Sequence, residues 1–140
     1  MDPVGEATAI AGQGLAGSVG RSSRRQITIV ELEDWNRANA AVGAQADPSR
    51  RRANLVVSGI ELAHTRGRVL RVGAVRLAIG GELTPCERMD EVAPGLQAAL
   101  RTDWSGGVFA QVLDDGVIQI GDAVVFEDSV ADAQGAREAV

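Results

Sequence analysis

Val69-Leu70-Arg71-Val72-Gly73-Ala74-Val75-Arg76-Leu77-Ala78-Ile79 decides the fold class. Two β-branched runs alternate apolar with polar residues on either side of Gly73-Ala74, the pattern of a compact hairpin. The same grammar extends outward. Ala7–Ile10 reads as a first strand running into the glycine-rich stretch Gly12 to Gly20, and Gln26–Val30 and Leu55–Val57 read as further strands. Val108–Leu113 alternates, Asp114-Asp115-Gly116 turns, and Val117–Ile120 is expected to pair back on it. Gly121-Asp122 turns again into Val124–Phe126.

Helical signals are few. Trp35, Ala38 and Val42 fit a short helix stopped by Gly43. Asp90, Leu96, Ala99 and Leu100 suggest a second, with Pro94 near its first turn. Many short strands and two short helices predict a mostly-β, barrel-like fold. The repeated strand–helix alternation of a parallel α/β sheet is missing. Residues 1–126 are read as one domain, and 127–140, rich in alanine and acids, as a flexible tail.

Composition narrows the chemistry. Of 140 residues, 45% are hydrophobic and 24% charged, as in an ordinary globular domain. No apolar run approaches the roughly 18 residues of a membrane helix, and Met1–Glu6 lacks the basic-then-apolar order of a secretory signal. A cytoplasmic protein without a membrane partner is therefore expected. The net charge of −5 argues against a nucleic-acid partner. All 14 basic residues are arginine. Without lysine the chain cannot hold pyridoxal phosphate as a Schiff base or grip phosphate with a P-loop lysine. Anion recognition falls to arginine and backbone N–H groups.

Gly12-Gln13-Gly14-Leu15-Ala16-Gly17 spells G-x-G-x-x-G, but a short polar stretch and then a strand follow it, where a dinucleotide site needs a helix. It reads as a loop joining two strands. His64, the one histidine, has no partner at metal-ligand spacing and reads as a surface-loop residue, so zinc is not expected. Asp114-Asp115-Gly116 is a turn before it is a carboxylate pair. Trp35 and Trp104 read as core or rim anchors. Arg50 and Arg51 read as a solvated loop face. Cys86, the one cysteine, taken alone reads as a small buried hydrophobe.

A family resemblance changes the weight on several of these residues. Arg52-Ala53-Asn54-Leu55-Val56-Val57-Ser58-Gly59-Ile60-Glu61-Leu62, Gly67-Arg68-Val69-Leu70-Arg71-Val72-Gly73, Thr84-Pro85-Cys86-Glu87-Arg88-Met89, Pro94–Leu100, and Gly106–Leu113 with Gly116, Ile118 and Gly121-Asp122 stand in order. Together with the early glycine-rich turn they resemble the MOSC domain, named after the C-terminal region of molybdenum cofactor sulfurase. The resemblance covers nearly the whole chain except its tail. It implies a MOSC-type β-barrel, like the barrel domain of pyruvate kinase, around a site that binds molybdenum cofactor (molybdopterin) or handles sulfur for it.

By this resemblance Cys86 is the metal ligand and the catalytic residue, with Arg52, Asn54, Arg88, Gly106 and Gly107 around the cofactor. The implied activity is reduction of N-hydroxylated small molecules with electrons from a donor protein. Two alternatives stay open: a sulfur carrier that takes a persulfide on Cys86 from a desulfurase, and a non-catalytic binding domain. Two positions depart from the family pattern. Ser18 stands where an acid is frequent, and Leu83 stands where a second cysteine is frequent.

Overall fold

The computed structural model describes residues 6–16 and 25–127. Among these the chain forms strands β1 (Glu6–Ile10), β2 (Gly14–Leu15), β3 (Ile27–Glu31), β4 (Leu55–Val57), β5 (Val69–Val72), β6 (Val75–Glu82), β7 (Val108–Val112), β8 (Gly116–Gln119) and β9 (Val124–Phe126). Helices α1 (Leu32–Ala41), α2 (Arg88–Val92) and α3 (Leu96–Arg101) and two 3₁₀ turns, Pro48–Arg51 and Thr102–Trp104, complete it. No helix among the described residues is long and apolar enough to cross a membrane. The mostly-β, barrel-like expectation holds. A six-stranded sheet, ordered β4-β3-β7-β6-β5-β9, curls into a half-barrel, and a three-stranded sheet ordered β2-β1-β8 accompanies it.

The hairpin at Gly73-Ala74 forms as read, with Val72 opposite Val75 and Leu70 opposite Leu77. Alternation along β6 buries Val75, Leu77 and Ile79 on one face. They join Ile27, Ile29, Val108, Ala110 and Val112 in the main core. On the other side of β3, Val30 packs with Trp35, Ala38, Met89, Leu96 and Leu100 in a second core beneath the helices. Helix α1 carries Glu33 and Asp34 in its first turn, where acids complement the helix dipole. Gly43, at φ 71°, follows its C-cap as the sequence indicates. Trp35 is fully buried and donates its indole N–H to the Ala46 carbonyl at 2.8 Å, which staples the loop after α1.

Three expectations need correction. Strands β3 and β4 are parallel, with Val30 opposite Val56. One βαβ unit therefore exists, its crossover built from α1 and the 3₁₀ turn. A parallel pair needs only one long crossover, and a single unit produces no repeating strand–helix pattern.

The second correction concerns Val117–Ile120, which does not pair back on Val108–Leu113. A strand has two edges, and β7 spends both, on β3 and β6. β8 instead pairs with β1, Ala7 opposite Ile118. The two turn aspartates tie the exit. Asp114 accepts from the Arg76 guanidinium at 2.9 and 3.1 Å, and Asp115 accepts from the Ala11 N–H at 2.7 Å.

The third concerns the second helix, which is two short ones broken by Pro94 and by Gly95 at φ 87°. Asp90 on α2 accepts from the Gln97 N–H at 3.0 Å and so caps α3.

The described part of the glycine-rich stretch is a tight β1–β2 hairpin with Gly12 at φ 73°. Gly17 and Ser18 lie outside the described residues, as do 128–140 of the expected tail.

Gly107 is the glycine on which strand placement turns. Its φ is 104°, and an added Cβ would lie 2.2 Å from the Ile29 carbonyl oxygen. A Gly107→Ala chain is expected to lose more than ~3 kcal/mol in urea denaturation, by strain plus backbone displacement. Gly12→Ala, with open space around it, should cost only ~1–2 kcal/mol for its left-handed backbone. Equal losses would contradict this account of β3 and β7.

Candidate functional site

β6 ends where β7 begins, and the chain leaving β6 carries Leu83, Pro85 and Cys86 across that end of the sheet. Four contacts hold this crossing. The Leu83 N–H donates to the Gly107 carbonyl at 2.8 Å, and the Leu83 carbonyl accepts from Arg51 Nη2 at 2.9 Å. The Pro85 carbonyl accepts from Gln97 Nε2 at 3.4 Å, and the Cys86 carbonyl accepts from the Met89 N–H at 3.0 Å as the chain turns into α2. Every one of them uses backbone atoms of the crossing. The Cys86 side chain itself is exposed, contrary to its reading as a buried hydrophobe. A thiol must be accessible to ligate a metal or attack sulfur, so this placement meets the first requirement of either chemistry.

The arginine buried at this crossing is Arg51, whereas Arg52 is exposed. Arg51 is 9% exposed, and its Nε also donates to the Gly106 carbonyl at 2.8 Å. Its reading as a solvated loop residue is corrected. The cause is the 3₁₀ turn Pro48–Arg51, started by Asp47, which accepts from the Ser49 N–H at 2.9 Å. That hydrogen bond holds the Asp47 carboxyl below its ordinary range. The turn closes on Arg52 in the left-handed conformation at φ 64°, and Arg52 is exposed.

Burial pushes the Arg51 guanidinium below its usual value, with the charge of Cys86 opposing that shift and Arg25 adding to it. An arginine remains charged even so. Arg51 therefore joins the backbone of the β6–β7 end to the electrostatic surroundings of the thiol.

The other expected residues fall into distinct positions. Gly106 and Gly107 are buried, and a Cβ on Gly106 would lie 2.9 Å from the Leu83 oxygen and 3.2 Å from Arg51 Nη2. Their part is to let Arg51 and the Leu83 segment close on the sheet. Asn54 Oδ1 accepts from the Thr28 N–H at 2.8 Å, and the Asn54 N–H donates to Thr28 Oγ at 3.0 Å. Asn54 thus locks the β3–β4 pair. Arg88 is exposed at the first residue of α2, two positions beyond Cys86.

Sequence reasoning missed Arg25 and Arg66. The Arg25 guanidinium lies over the Phe109 ring, 5.3 Å from its centroid. Arg66 Nη2 lies 3.1 Å from where a Gly81 Cβ would stand, and the Phe109 ring lies 3.3 Å from the same point. The two glycines at the β6 bulge make room for that ring, and they were the available signal.

A concavity opens near the carboxyl ends of β3 and β4. This groove of about 640 Å³ is lined by Glu31, Asp34, Arg37, Glu61, His64 and Asp103, among others. His64 stays a surface residue, as read, and the fold brings Asp103 within 3.8 Å of it and Trp104 to a ring separation of 5.1 Å. Among the described residues, no three His, Cys, Asp or Glu side chains converge as a metal-ligand set.

Comparison with known proteins bears on the family and the fold. The family model described as the MOSC domain matches residues 16–125. No curated protein matches the chain. Among solved structures, the YUAD protein from Bacillus subtilis superposes with a TM-score of 0.71 over 86% of this chain and 84% of its own, at 22% identity. YiiM from Escherichia coli gives 0.67 over 87% of this chain and 62% of its own, at 16% identity. YiiM from Geobacillus stearothermophilus gives 0.62 over 73% and 54%, at 20% identity. The chain thus spans less than two thirds of either YiiM, and the likeness to all three is one of fold.

The division of labour between neighbouring arginines is testable by denaturation. Arg51→Ala strands two buried carbonyls and should cost about 2–4 kcal/mol. Arg52→Gly, at a left-handed position, should stay within about 0.5 kcal/mol of wild type. Equal costs, or a larger loss at Arg52, would overturn the assignment.

Proposed function

We propose that this chain, which belongs to the MOSC domain family, binds a molybdenum cofactor with Cys86 as the metal ligand. One observation carries the reading: an exposed thiol stands within the electrostatic reach of a buried, backbone-anchored arginine. The donor set fits such a group. A thiolate is the soft ligand that a metal–sulfur centre takes. Arg25 and Arg66 both lie at the Phe109 ring, and a guanidinium fork is the kind of group suited to a phosphate. Arg88 stands two residues from the ligand and adds positive charge on the exposed side.

When bound, the cofactor supplies two-electron redox chemistry. The chain's own work is to hold the Cys86 backbone in place through Leu83, Pro85 and Met89, and to keep positive charge beside the sulfur. The substrate class in this reading is an N-hydroxylated small molecule. Its N–O bond breaks, two electrons from a donor protein and two protons are consumed, and water leaves with the N–H product. A sulfur carrier would also use an exposed thiol, but a single persulfide has no need of a phosphate-type arginine set. That difference favours cofactor binding.

Protein purified under anaerobic, reducing conditions should carry molybdenum and pterin fluorescence. Cys86→Ser should reduce the molybdenum content at least about tenfold, while thermal unfolding stays near wild type because the side chain is exposed. Equal molybdenum in both proteins would remove Cys86 as the ligand. One added sulfur on wild type alone after incubation with a desulfurase, with no metal or pterin in either protein, would favour the carrier. Absence of metal, pterin and persulfide together would leave a binding domain without this chemistry.

A further inference from the structure

We draw no further inference here: the strongest candidate, the acid-lined groove at the carboxyl ends of β3 and β4, carries nothing because its buried carboxyl groups, Glu31 and Asp34, already have partners in the Leu62 N–H and in Arg37, and nothing among the described residues shows what would occupy it.

Discussion

The guanidinium of Arg51, bridging the carbonyl oxygens of Leu83 and Gly106, is the interaction on which the rest of the site depends. Placing a charged group where 9% of it remains exposed costs several kcal/mol unless its donors are met. Here Nε and Nη2 are met by carbonyl groups from two chain segments remote in sequence. Meeting them fixes the distance between the end of β6 and the start of β7, and with it the place where Cys86 emerges. It also dictates residue type nearby. Gly106 can bear no side chain because the Leu83 oxygen and the guanidinium occupy that space. Gly107 can bear none because β3 passes directly beneath it.

The fold makes this bridge possible by bringing three strand ends together. β7 lies between β3 and β6, so the segments entering and leaving these strands converge at one end of the sheet. The parallel β3–β4 pair then delivers the loop before β4 to the same region, and the 3₁₀ turn in that loop turns Arg51 inward. Asn54 secures the arrival through Thr28. The helices pack on the outer face of β3 as a second, smaller core. They fix the far side of the Cys86 segment through Gln97 and Met89.

Much of the architecture was legible in the sequence because it rests on local chemistry. Gly73-Ala74 between two alternating runs specified a hairpin, and Gly43 after an apolar helical face specified a stop. What escaped was non-local. Nothing near Val117–Ile120 reveals that both edges of β7 are taken, so the nearest strand looked like its partner. The family motif drew attention to Arg52 and Asn54, one of which is exposed while the other locks two strands. Arg51 looked, with Arg50, like a solvated surface charge. Its burial follows from a turn geometry set by Asp47, Pro48 and the left-handed Arg52, and the carbonyls that receive it lie more than 30 residues away. The groove escaped for the same reason, since Glu31, Glu61, His64 and Asp103 meet only after the sheet has formed.

Anomalous diffraction at the molybdenum absorption edge, from crystals of anaerobically purified protein, tests the central claim most directly. The expected result is a molybdenum peak beside the Cys86 sulfur, with Arg51 still bridging Leu83 and Gly106. A metal peak elsewhere on the protein, or an Arg51 side chain swung out to solvent while the metal stays in place, would contradict the account.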